Sequence, residues 1–130
     1  MKKIYLIITG ILLFASACFS QDAVKSDVAA AIKAGDVSLF SDHFHTSIDL
    51  SLPGIDNTVS KNQAVQILKD FFEKNPPVSY TKNHEGSSKD GSIYIIGTYA
   101  TSGTKIFRTY FLLKKFNELF RVVQIQFEEQ

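Results

Sequence analysis

Hydrophobic positions along the chain recur first at helical and then at strand spacing. In "VKSDVAAAIKAGD", Val24, Val28 and Ile32 stand at i, i+4 and i+8, a narrow apolar stripe filled in by alanines. Gly35 supplies a left-handed stop, and Asp36 is placed to cap a second, short helix over Val37–Phe40, with Phe40 and Phe44 four residues apart. In "HTSIDLSLPG" the period falls to two. Ile48, Leu50 and Leu52 alternate with Ser47, Asp49 and Ser51, which predicts a half-buried strand closed by a Pro53-Gly54 turn. The broadest apolar face belongs to "SKNQAVQILKDFFEKNPP". Ser60 and Gln63 form a capping box, and Ala64, Val65, Ile67, Leu68, Phe71 and Phe72 share one side. Asn75 ends this helix, and Pro76-Pro77 bars its continuation.

From Val78 onward the pattern is a strand meander: "VSYTKNHEG", "SIYIIGTYA", "KIFRTYFLLKK" and "ELFRVVQIQFEE". Turn residues separate the strands at Lys89-Asp90-Gly91, at Thr101-Ser102-Gly103 and near Asn117. Alternation predicts that Phe107, Thr109, Phe111 and Leu113 form one inner wall, with Val123, Ile125 and Phe127 beside it. Helices followed by a meander in a chain of this size predict an α+β fold, its helices packed on one face of a curved antiparallel sheet.

The N-terminal stretch follows a different rule. Lys2 and Lys3 precede the apolar run Ile4 to Phe14, and small residues follow at Ala15-Ser16-Ala17 and Ser20. That order predicts a secretory signal peptide over residues 1–20, too short for a spanning helix, and hence an exported protein, periplasmic or secreted. Two processing routes follow: cleavage near Ser20 or Gln21, which is preferred, or acylation of Cys18, the only cysteine, with Ala15 where lipoprotein signals usually carry Leu. One cysteine allows no disulfide within the chain. Without Lys2 and Lys3, twelve basic residues face 13 acidic ones, so the formal charge moves from +1 to −1. No basic excess remains to attract nucleic acid. Residues 22–130 then form a single domain of ordinary size, with nine of the 11 phenylalanines available to its core.

Candidate chemistry concentrates in "FSDHFHTSIDL". A metal site would use His43 and His45, with Asp42, Asp49 or His84 completing the shell, but zinc wants three or four convergent ligands and this pair spans a helix end and a strand start. The preferred reading is no metal site: Leu39, Phe40 and Phe44 turn inward, while Ser41, Asp42 and His43 face water. Asp49 is a candidate general base or ligand contact, yet strand parity sets it opposite Ile48, Leu50 and Leu52, where nothing tunes a carboxylate. His84 and Glu85 precede Gly86 and are expected at an exposed hairpin end. Tyr94, Tyr99, Arg108 and Tyr110 are expected to line a pocket or an interface. No serine or cysteine has a nucleophile's setting, and the Gly97 and Gly103 stretches are not phosphate loops because neither opens a helix. The expectation is no catalytic residue and no cofactor.

The helix ending at Gly35-Asp36, the Leu39-Phe40 helix, the "SIDLSLPG" strand, the "SKNQAVQILKDFF" helix and the long closing strands together resemble the nuclear transport factor 2-like superfamily. The likeness spans nearly all of Asp22 to Glu129 and is strongest to the small secreted bacterial members of unassigned function. It implies a curved sheet wrapped around helices as a cone. Some members, such as ketosteroid isomerases and scytalone dehydratases, carry acids, histidines or tyrosines inside that cone; no such residue transfers to a position of this sequence.

These readings favour a secreted, non-catalytic domain that binds a small molecule or a partner protein. The alternatives are a small isomerase or lyase using Asp49 or a histidine in the cone, and a lipid-anchored envelope protein with a structural role. The outer sheet face should carry Ile106, Arg108, Tyr110 and Leu112, with Phe120, Val122, Gln124 and Gln126 alongside. That mixture is less polar than a water-facing sheet, and the resemblance implies pairing through it, so a two-fold homodimer is expected.

Overall fold

A computed structural model describes residues 19–130, with side chains from Gln21. The signal-peptide and Cys18 readings therefore lie almost wholly outside the described residues. Helix α1 spans Phe19–Ala34 and α2 spans Val37–Ser41; strands β1 and β2 span Phe44–Leu52 and Ile55–Ser60. Helix α3 (Lys61–Lys74) is followed by β3 (Pro77–Ser87), β4 (Ile93–Thr101), β5 (Ile106–Phe116) and β6 (Leu119–Glu129).

The strands form one six-stranded sheet in the order β2-β1-β6-β5-β4-β3. Every pairing is antiparallel except β1 with β6, which run parallel and join the N-terminal hairpin to the meander. Helices cover the inner face of this curled sheet, as expected for a cone of mixed α+β class. Val24, Val28, Ala31 and Ile32 bury the predicted stripe of α1. Gly35 takes φ +65°, the left-handed conformation that stops α1, and Asp36 accepts a hydrogen bond from the Leu39 N–H at 3.1 Å as the cap of α2. The capping box of α3 is complete: Gln63 N–H donates to Ser60 Oγ at 3.2 Å, and Ser60 N–H donates to Gln63 Oε1 at 3.0 Å.

Aromatic rings fill the space between α3 and the sheet. Phe71 packs against Phe127 and Phe107 with ring centroids 4.8 and 5.2 Å away, and Phe111 meets Phe127 at 5.8 Å. Phe40 reaches the same core from α2, edge-on to Phe44 at 4.8 Å and to Phe111 at 5.5 Å. The rings meet at steep angles, which suits their quadrupoles.

Three sequence expectations are corrected. Val122 is buried and Val123 half-buried, the reverse of simple alternation, because Leu113 pairs with Val122 while Leu112 pairs with Gln124. Val123 is the extra residue of a bulge, and one unpaired residue exchanges the faces of everything before it. Val122 and Phe120, which packs against the core, therefore leave the predicted outer face. His84 and Glu85 lie within β3, paired with Ile96 and Ile95, not at a hairpin end. The segment Ile55–Ser60, which the patterns above leave between turn and helix, is the edge strand β2: Ile55 and Val59 pack inward while Asp56, Asn57 and Thr58 face water.

Candidate functional site

The residues singled out for chemistry do not converge. His43 bridges elements, its Nε2 lying 2.9 Å from Asp27 Oδ2 on α1. His45 stacks on Phe116 with ring planes 7° apart and centroids at 4.2 Å. His84 sits on β3, its Nε2 3.4 Å from the Tyr94 hydroxyl. Among the described residues no three of His, Cys, Asp and Glu gather closely enough to hold a metal ion. Asp49 is exposed on β1, where Thr58 Oγ1 donates to its Oδ1 at 2.6 Å. A carboxylate so placed is open to solvent and stands apart from the interior.

The four polar strand residues separate by face. Tyr99 is fully buried among Phe71, Phe72, Phe107 and Phe127, and its hydroxyl donates to the Asn75 carbonyl at the end of α3. Burial pushes its phenol well above the ordinary range. Its expected place at a pocket or interface is corrected: Tyr99 is a core residue that ties α3 to β4. Tyr94, Arg108 and Tyr110 do share the outer face. The Tyr94 and Tyr110 rings lie nearly parallel, 13° apart, with centroids at 6.5 Å, and Tyr110 stands between Ile96 and Gln126 in the ladder.

One hollow among the described residues was not signalled by any motif. It is a cleft of about 450 Å³ between α3, the β1–β2 turn and the adjoining ends of β5 and β6. Leu52, Ile55, Ile67, Phe71 and Phe107 give it an apolar floor, while Asp70, Lys74, Lys105 and Glu129 stand at its rim. Lys74 and Asp70 pair at 3.0 Å, one helical turn apart. Concave shape, an apolar floor and a few polar groups at the edge are the ordinary properties of a small-molecule site. The signal that could have found it is the half-buried Ile67 one turn before Phe71, beside the Leu52–Ile55 hairpin, which apolar periodicity alone assigns wholly to the core.

A smaller hollow of about 290 Å³ lies between α1 and the β3–β4 pair, beside Val28, Tyr80 and Ile95. Its rim is occupied by an ion cluster: Lys25 Nζ lies 2.8 Å from Glu85 Oε2, and Lys82 Nζ lies 3.0 Å from Glu85 Oε1. Hydrogen bonds from Lys25 and Lys82 hold the Glu85 carboxyl below its usual range, and the Glu85 bond raises Lys25. Burial raises the Tyr80 phenol. These groups are paired with each other, which suits a structural lock between helix and sheet.

Comparison with known proteins follows the fold closely. Residues 25–128 match the family described as "Domain of unknown function (DUF4783)". The chain belongs to the DUF4783 family. It is similar to the crystal structure of a DUF4783 protein from Bacteroides ovatus, with 30% identity and a TM-score of 0.74, covering 80% of this chain and 93% of that one. A DUF4783 protein from Bacteroides uniformis is similar at 23% identity and TM-score 0.75, covering 81% and 95%. An NTF2-like protein of unknown function from Silicibacter pomeroyi shares the fold at 12% identity and TM-score 0.61, covering 90% and 98%. No curated protein matches the chain. The fold of this chain is thus that of the NTF2-like cone, and a fold transfers no activity.

Proposed function

We propose that this DUF4783 protein is an exported, non-catalytic binding domain that takes a small, largely apolar ligand in the cleft beside α3. One observation carries the reading. The cone interior is occupied by Phe71, Phe72, Tyr99, Phe107, Phe111 and Phe127, so the space where cone-shaped enzymes keep their acids is closed, while the apolar cleft next to it stays open. The isomerase or lyase alternative draws no support from Asp49, which faces solvent on the other side of the sheet.

The test uses 1-anilinonaphthalene-8-sulfonate, an aromatic anion of suitable size for the apolar floor and the rim lysines. Saturable enhancement of its fluorescence is expected, and Ile67→Asp should abolish it with the far-ultraviolet circular dichroism unchanged. Binding that never saturates, or that survives Ile67→Asp undiminished, refutes the cleft as the site.

Export is proposed from the order Lys2-Lys3, Ile4 to Phe14 and Ala15-Ser16-Ala17, with cleavage near Ser20 or Gln21. No helix among the described residues is long and apolar enough to cross a membrane. Intact mass of the protein from its own host decides the route: a mass that retains the leader sinks export, and acyl chains on Cys18 replace cleavage with anchoring. We also propose that two copies pair through the outer sheet face around Tyr94, Arg108 and Tyr110.

A further inference from the structure

The strand directions bring several separate features to one end of the molecule. Gly35, at the C-terminal end of α1, lies against Pro77 at the start of β3, and Lys25, near the other end of α1, pairs with Glu85 toward the end of β3. Helix α1 therefore runs antiparallel to β3. Its N-terminus points toward the β3–β4 turn, and the alternating strands set the β5–β6 turn at that same end. Phe19, the first described residue, therefore stands at this end.

The β5–β6 turn is unusual in what it exposes. Asn117 and Glu118 take φ +47° and +70° and make a tight turn without glycine. Phe116 and Leu119 pair across it and remain 36% and 51% exposed, two of the four large hydrophobic side chains so exposed among the described residues. Phe116 is held in place by the His45 ring, so it is a fixed and not a wandering apolar group. Lys114, Lys115 and Arg121 flank the pair, with Glu118 at the tip in contact with Lys115 at 3.5 Å. Lys89 and Asp90 of the neighbouring turn and Asp42 complete the charges nearby. Exposed apolar residues at a rigid tip, ringed by lysines whose stems can reach outward, suit the boundary between acyl chains and phosphate headgroups.

We infer that this end of the domain docks on an anionic lipid surface, with Phe116 and Leu119 entering the headgroup boundary and Lys114 and Lys115 meeting lipid phosphates. The docking end is separate from the cleft, which opens at the opposite end beside the β1–β2 turn. Were Cys18 acylated, its anchor would be joined to the chain directly before Phe19, and the two contacts would act together.

The chain has no tryptophan, which permits a local reporter. In the Leu119→Trp protein processed by its own host, vesicles of phosphatidylglycerol and phosphatidylethanolamine should move the emission to shorter wavelength. Val78→Trp reports from the opposite end, at the start of β3, where Val78 is 67% exposed, and should not shift. Adding Lys114→Gln and Lys115→Gln to the Leu119→Trp protein should raise the vesicle concentration for half the emission shift by about thirtyfold, as expected for two basic groups at an anionic surface. Three results overturn the inference: no shift at position 119, equal shifts at 119 and 78, or a concentration-dependent shift at 119 without vesicles, which would mean a second protein copy covers the turn.

Discussion

A methyl group added at Gly97 would lie 2.7 Å from the Thr81 carbonyl oxygen and 2.7 Å from the Tyr80 ring. The missing side chain is what lets Tyr80 lie against β4, where Gly97 pairs with the buried Thr109. Gly86 is also crowded, but by the tip of the Tyr94 side chain, which can swing away. Gly97→Ala should therefore destabilise by about 1–3 kcal/mol, since a backbone atom and a packed ring must both move. Gly86→Ala should cost less than about 1 kcal/mol. Thermal unfolding of the two variants checks this, and equal losses would contradict the packing described. Neither demand was legible in the sequence. A glycine inside a strand pattern shows that something approaches closely, but which ring approaches depends on a partner strand that the pattern does not name. Tyr99 shows the same limit, because its parity relative to Tyr94 was available while its burial at the end of α3 was not.

At the scale of elements, α1 is fixed to β3 by Lys25, Glu85 and Lys82, and to the α2–β1 junction by His43 and Asp27. Glu85 is held below its usual carboxylate range in the fold, so its contribution is fully present above the unfolded value and is lost as pH falls through the lower folded one. Lys25 is raised, so its share persists below the unfolded lysine value and disappears only as pH rises through the higher folded one. Glu85→Gln should cost up to about 1 kcal/mol at neutral pH, as a partly exposed pair does. The gap in melting temperature between Glu85→Gln and parent should close in strong acid, once the parent's Glu85 is protonated. A gap that stays constant from neutral pH into acid would show that packing, not charge, is what the substitution removes. The helices themselves were legible: their stripes, caps and stops stand at the predicted residues, because those signals are local. The strands were legible in order and type, but their faces failed where a bulge intervened. Val123 breaks parity within β6, and β2 has too few apolar positions to be recognised apart from its pairing with β1.

For the whole molecule, the proposed pairing of two copies rests on the outer sheet face. Tyr94, Ile96, Tyr110 and Leu112 form a contiguous half-buried patch at the centre, bordered by Arg108 on β5 and by Gln124 and Gln126 on β6. A sheet face left to water would alternate to polar residues, and tyrosine and arginine are the types enriched where proteins meet. A patch that repeats itself under a two-fold axis can supply both halves of the interface from one surface, which is the commonest route to a dimer. The bulge at Val123 changes which substitution tests this. Val122 is buried in the core, so Val122→Glu would unfold the domain and say nothing about assembly. Tyr110→Glu is the informative variant, because it sets two carboxylates against each other across the axis while leaving the inner wall of Phe107, Phe111 and Leu113 untouched. Light scattering at micromolar concentration should give the parent twice the mass of one chain and shift Tyr110→Glu toward a single chain. A parent that scatters as one chain at high concentration removes the dimer. A Tyr110→Glu protein that keeps the parent's mass moves the contact to another surface.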